Sequence, residues 1–215
     1  MIPLLSFPGI AHRRTQTPPA FKRYQSFKPY VRREYLGSCV YCRMPDGPAG
    51  RDAFHLDHYR PKTKFPADQA NYHNLFYSCA HCNRCKGAYW PSSVERANEK
   101  EVLNPDHFVM KEHLRYSGPT VVPRSRRGEW TCELLDLNDP VRVAHRETLS
   151  AVYERFSEQY DQHLDDLGMV MQLIALATSE EAVEKLRVLK EEKEKALQQG
   201  YRQMVDFFGV APSLT

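Results

Sequence analysis

Apolar and polar positions alternate through AFHLDH (53–58), which predicts a strand that Pro61 brings to an end. The apolar run NLFYS (74–78) predicts a partner strand, and AHCNRCKG (80–87) reads as a short helix closed by Gly87. Upstream, PYVRREYL (29–36) predicts a helix opening at Pro29, because proline suits a first helical position. HLRY (113–116) and TVVP (120–123), separated by SGP, predict a hairpin. Two long helices are expected after that, one from Asp139 towards Gly168 and one from Thr178 to about Phe208. The second has Thr178 and Glu181 in a capping-box pattern and Gly209 just past its end. Its apolar positions 182, 183, 186, 189, 196, 197, 201, 204, 205 and 208 lie on one face, with a gap at Glu192–Lys195. Residues 1–28 read as an irregular arm, and 37–50 and 61–73 as loops.

Charge divides this pattern. Residues 1–100 carry 16 Lys+Arg against 7 Asp+Glu, whereas residues 101–215 carry 14 against 20. A basic first half suits a polyanionic substrate, although solvated surface would explain the same count. No apolar run reaches the ~20 residues of a membrane span. The start, MIPLLSFPGIAHRR, has its arginines after its apolar residues and is broken by proline and glycine, so it does not read as a secretory signal. A cytoplasmic protein is expected. In a reducing compartment the 6 cysteines point to metal binding or catalysis and not to disulfides.

Cys39-x2-Cys42 and Cys79-x2-Cys82 are two knuckles of the kind that converge on a tetrahedral, four-thiolate structural zinc. Cys85 also lies three residues after Cys82, so spacing leaves the pairs Cys79/Cys82 and Cys82/Cys85 both open. Between the knuckles, HLDHYRPK (55–62) sets Asp57 and His58 side by side at a strand end. Aspartate is a hard oxygen ligand suited to Mg²⁺, and histidine is the usual general base near neutral pH. Neighbours on a regular strand face opposite ways, so the strand must end or distort where these two serve one site.

The series CVYC … HLDHYRPK … NLFYSCAHCNRCKG resembles the HNH nuclease family, whose pattern runs DH, then NL, then CxxC(H/N)xxK. The resemblance implies an α+β protein: a small ββα-metal core with a four-cysteine structural zinc, and a mainly helical C-terminal extension containing a hairpin. It implies that Cys39, Cys42, Cys79 and Cys82 hold the Zn²⁺ and that Cys85 is spare. Asp57 and Asn83 would hold a catalytic Mg²⁺ or Mn²⁺, and His58 would take a proton from the water that attacks phosphorus. Asn74 would orient the loop carrying that base. Lys86, one helical turn from Asn83, is expected to contact phosphate, with Arg60, Lys62, Lys64 and Arg84 also bound to nucleic acid. His55 could support the site or only pack. His81 is expected as an exposed helix residue, His73 as a neighbour of the motif, and Cys132 as a small core residue. In FKRYQSFKPYVRREY (21–35), basic and aromatic residues alternate, which suits either nucleic-acid contact or packing on the core.

The following segment, with NP (104–105), a hairpin around a glycine, TCELLDLN (131–138) and an arginine-bearing helix, resembles HNH subunits of Septu and retron-associated anti-phage systems. That resemblance implies an ABC-type ATPase subunit as partner. The chain is thus expected to comprise a basic arm (1–36), a nuclease core (37–100) and a partner-binding hairpin and helical region (101–215). A metal-dependent endonuclease acting on DNA is the leading expectation. An RNA-cleaving enzyme of the same mechanism and an inactive zinc-stitched binding module are the alternatives.

Overall fold

The computed structural model describes residues 5–209, which form two compact units, residues 5–148 and 149–209. In the larger unit, helix α1 (Lys28–Glu34) precedes the first cysteine knuckle. Strands β1 (Phe54–His58) and β2 (Leu75–Cys79) pair antiparallel, with Phe54 opposite Cys79 and His58 opposite Leu75. Helix α2 (Ala80–Lys86) follows β2 directly, and Gly87 at φ 49° ends it in a conformation that glycine adopts without steric cost. The expected ββα core is therefore present. Its strand β2 is buried along its whole length, which is why that segment reads as a continuous apolar run.

The N-terminal segment packs onto this core. Phe27, Val31 and Tyr35 are buried, and Phe54 stacks on Tyr77 at 5.0 Å. Each such aromatic or aliphatic side chain contributes about 1.5–3 kcal/mol on burial. Arg14 donates to Asp106 Oδ2 at 3.0 Å and to the Leu75 carbonyl at 2.9 Å, and its guanidinium lies over Tyr35, Tyr72 and Phe76. Glu34 receives the amides of Thr15 and Gln16 and the hydroxyl of Tyr72. Burial pushes its carboxyl up, but these donors outweigh it and hold Glu34 below the ordinary range.

Two short helices, α3 (Ser93–Ala97) and α4 (Met110–His113), lead to a hairpin of β3 (Leu114–Ser117) and β4 (Thr120–Pro123). Gly118, at φ 57°, opens its two-residue turn. Helix α5 (Arg126–Leu134), capped by Ser125, packs so closely that a Cβ on Gly128 would lie 2.0 Å from the His113 carbonyl oxygen. Neither α3 nor α5 was expected from periodicity. Both are too short to show a clear repeat, and the Ser92/Glu95 capping box that starts α3 is a local signal.

Helix α6 runs unbroken from Pro140 to Leu176. This corrects the expected stop at Gly168, where the backbone stays helical and costs only about 1 kcal/mol relative to alanine. In the smaller unit α6 and α7 (Glu180–Phe208) form an antiparallel hairpin, with Tyr153 against Phe208 at 5.1 Å and Lys193 bonded to Asp166 at 2.7 Å. The cap of α7 is Ser179, which receives the Ala182 amide, so the expected Thr178/Glu181 box is displaced by one residue. The expected apolar face is buried only at Leu197, Met204 and Phe208. No residue between 171 and 196 is buried, because two helices alone cannot enclose a core there. Among the described residues, no helix is long and apolar enough to cross a membrane.

Glu34→Gln places an amide donor among hydrogen-bond donors and is expected to destabilise the larger unit by roughly 2–3 kcal/mol at pH 7. A carboxyl whose folded pKa is depressed stabilises above its unfolded pKa, and loses that contribution as pH falls through the folded value. Chemical denaturation at pH 7 and below pH 4 should therefore show the mutant penalty shrinking in acid; an equal penalty at both would refute this assignment.

Candidate metal and nuclease site

The two knuckles place the sulfurs of Cys39, Cys42, Cys79 and Cys82 within 4.8 Å of one another, all buried. Cys42 and Cys79 are 3.8 Å apart, the edge of a tetrahedron built on Zn–S bonds of about 2.3 Å. Burial opposes ionisation of Cys39, yet its three neighbours hold that thiol well below the usual range, while the same crowding pushes Cys79 and Cys82 up. Such a donor set can bind zinc. Cys85 stands outside it, with Sγ 3.7 Å from His81 Nε2. The open choice between knuckles is thus decided for Cys79/Cys82. Arg142, on α6, brings Nη2 to 3.9 Å from Cys79 Sγ. Burial disfavours its charge, but the sulfurs of Cys42, Cys79 and Cys82 raise its pKa.

Beside this cluster lies a cavity of about 510 Å³ lined by Asp57, His58 and Asn83, with His55, Leu56, Lys62 and Tyr24. Strand β1 carries the first two and α2 carries Asn83, directly after Cys82. His58 is the last residue of β1, and all of that strand, Phe54–His58, lines the cavity. Its Nε2 lies 2.9 Å from the Gln69 carbonyl. A carbonyl only accepts, so Nε2 carries the proton and the neutral ring keeps its lone pair on Nδ1. Burial, aided by the ammonium groups of Lys62 and Lys86, holds His58 below the usual imidazole range, against the Gln69 carbonyl and Asp57.

Asp57 is 3% exposed and accepts from Tyr41 at 2.6 Å on Oδ2 and from Lys86 at 3.0 Å on Oδ1. Lys86 is 2% exposed and donates also to the His58 carbonyl at 2.7 Å. This corrects the expectation that Lys86 contacts phosphate: its ammonium is spent beneath the site, where burial would be costly without these partners. Of the other expected nucleic-acid contacts, Lys62 lines the cavity. Arg60 instead pairs with Asp68 at 3.1 Å and lies over Phe65, while Lys64 and Arg84 are exposed and do not line it. Asn74 is outside the cavity too. Its side chain receives the Arg60 amide and donates to the Arg60 and Asp68 carbonyls, which ties down both ends of the loop that follows His58.

The arm divides between its two readings. Phe27, Val31 and Tyr35 pack on the core, whereas Tyr24, Gln25 and Lys28 line the cavity. Tyr24 meets the His58 ring edge-on at 4.7 Å, with Lys62 Nζ 5.3 Å from its centroid. The alternation of basic and aromatic residues was the signal for Tyr24 and Lys28; nothing in it distinguished them from Phe27. His81 is not an exposed residue but reaches the Leu135 and Asp136 carbonyls at the end of α5. His73 is exposed beside a separate cavity, and burial pushes the Cys132 thiol up to about 12.

Residues 39–88 match the family described as HNH endonuclease, so the chain carries an HNH endonuclease domain that begins at the first zinc-type cysteine and ends just past α2. Over 170 residues the chain is 22% identical to the Septu protein PtuB of Bacillus thuringiensis, an alignment covering 73% of this chain and 63% of the relative. The chain therefore spans less than two thirds of that relative's length.

Elemental analysis should find one tightly held metal per chain. Cys82→Ser is expected to lose it together with soluble yield, whereas Cys85→Ser keeps both; full metal content in Cys82→Ser would reject the cluster as drawn.

Proposed function

We propose that the chain is a metal-dependent endonuclease that hydrolyses nucleic acid, with DNA as the favoured substrate. The observation that carries this reading is the convergence of Asp57, His58 and Asn83 on one cavity beside the four-sulfur cluster. In it, zinc occupies the cysteines as a structural ion, and Asp57 and Asn83 hold Mg²⁺ or Mn²⁺. The donor set suits this: one carboxylate and one amide oxygen are hard ligands, and such ions keep waters and take substrate oxygens for their remaining positions. A divalent cation so held supplies positive charge where the phosphate and leaving oxygen become more negative.

In this reading each residue of the site has its own part. His58 Nδ1 takes the proton of the attacking water, while the Gln69 carbonyl keeps the ring in the required tautomer. Asn74 holds the loop behind the base, and Tyr24 and Lys62 wall the approach. Lys28 and Lys62 provide the cationic side chains of the cavity for phosphate.

The likeness to Septu PtuB and the pattern over residues 104–146 support a role in a cytoplasmic anti-phage complex, beside an ABC-type ATPase subunit. The helical hairpin supports the same reading. Met169, Leu173 and Leu176 lie on one face of α6 and are exposed, and no residue from 171 to 196 is buried. An apolar row of this kind suits a protein surface.

Purified protein with Mg²⁺ or Mn²⁺ should nick plasmid DNA. His58→Ala should lower the rate by ~10²-fold or more with metal content at the cysteines unchanged; undiminished cleavage by that variant would end this mechanism. Plasmid, single-stranded DNA and total RNA compared side by side decide the substrate.

Leu173→Asp with Leu176→Asp should release a co-expressed ABC-type ATPase from affinity-purified protein while plasmid nicking survives. A complex that stays intact would place the docking surface elsewhere.

A further inference from the structure

We propose that Tyr41 is a positioning residue for Asp57, and that through it the cysteine cluster governs how well the catalytic cation is held. The inference rests on the reading that Asp57 and Asn83 bind a divalent cation. Asp57 is a buried carboxylate with two protein donors, and they come from the two metal knuckles. Tyr41 sits between Cys39 and Cys42 and gives its hydroxyl to Oδ2 at 2.6 Å. Lys86, four residues after Cys82 on α2, gives Nζ to Oδ1 at 3.0 Å.

The phenol has little freedom. Tyr41 is fully buried, and metal-type ligands flank it two residues before and one after. The backbone of its knuckle is bonded as well, Cys39 N to the Met44 carbonyl at 2.8 Å and Val40 N to the Tyr77 carbonyl at 2.9 Å. The second knuckle places Asn83 in the same way, one residue after Cys82. Both proposed cation ligands are thus held by the sulfur cluster, Asn83 through the chain and Asp57 through a hydrogen bond.

Each carboxylate oxygen has two lone pairs, and Tyr41 occupies one on Oδ2. The remaining lone pairs serve a cation only while the carboxylate plane is fixed. Without the hydroxyl, the donor left on the carboxylate is the Lys86 ammonium on Oδ1. Rotation towards it would close the carboxylate on a buried positive charge and change the direction of the lone pairs left for a cation. A donor that orients a ligand in this manner commonly changes metal affinity 10–100-fold.

Tyr41→Phe removes one oxygen and leaves the packing intact. Zinc-loaded protein is titrated with Mn²⁺ and followed by electron paramagnetic resonance, with Asp57→Ala marking the signal that belongs to this site. Tyr41→Phe is expected to keep one zinc per chain and weaken Asp57-dependent Mn²⁺ binding by about 10-fold. Unchanged Mn²⁺ affinity overturns the proposal. Loss of zinc in Tyr41→Phe overturns it too, since the hydroxyl would then serve the knuckle and not Asp57. Absence of any Asp57-dependent Mn²⁺ signal in the parent protein does the same. A parent protein that binds Mn²⁺ through Asp57 and loses affinity in Tyr41→Phe, yet cleaves no nucleic acid, supports the positioning role and sinks the nuclease reading instead.

Discussion

Four cysteine sulfurs must come within 4.8 Å of one another in a buried site, and much of the larger unit follows from that. These cysteines belong to two knuckles far apart in sequence, one before β1 and one across the β2–α2 junction. Strands of five residues and a helix of seven bury too little surface to hold themselves together. A structural zinc can supply on the order of 10 kcal/mol to such a unit. Once the knuckles meet, β1 lies along β2 with His58 at its end, and Asn83 follows the last ligand into the same cavity.

Buried charges are the second constraint, and several of them are paired. Asp57 has Tyr41 and Lys86, Glu34 has the Thr15 and Gln16 amides and Tyr72, and Arg14 has Asp106. Arg146, 1% exposed, donates to the Pro119 and Leu137 carbonyls and so ties the hairpin turn to the start of α6. Removing one member of such a pair leaves the other charge stranded, which is costlier than never burying either. These pairs anchor the N-terminal segment and hairpin to the core, and the anchoring is what brings Tyr24 and Lys28 to the cavity wall. In the smaller unit Leu149, Tyr153, Tyr160, Val170, Leu197, Met204 and Phe208 are buried, while no residue from 171 to 196 is.

Much of the core was legible because its signals are local. The strands at 53–58 and 74–78, the helix at 80–87 and the hairpin at 113–123 were marked by alternation, apolar runs and glycine or proline stops, and each is present within a residue or two. The long helices were legible as helices, and so were the start of α6 after Asp139 and the end of α7 at Phe208 with Gly209 beyond it; the end of α6 and the cap of α7 were not. Gly168 has the residue type of a stop, yet the helix continues through it at a propensity cost of only about 1 kcal/mol. Thr178 and Ser179 are both competent caps, and only the hydrogen bond to Ala182 separates them.

The sequence by itself determined the chemistry available: four thiols in two knuckles, an adjacent carboxylate and imidazole, two asparagines and a basic, aromatic N-terminal segment. Ligand type and local spacing are properties of the chain. Tertiary structure decided which groups each side chain meets. It set Lys86 inward on Asp57 where the motif suggested an outward phosphate contact, brought Tyr41 onto the same carboxylate, and turned Tyr24 to the cavity while Phe27 turned to the core. A lysine near a helix end reads alike whether it faces solvent or a buried aspartate. The choice rests on the cost of leaving that aspartate unpaired, and this cost exists only once the chain has folded around it.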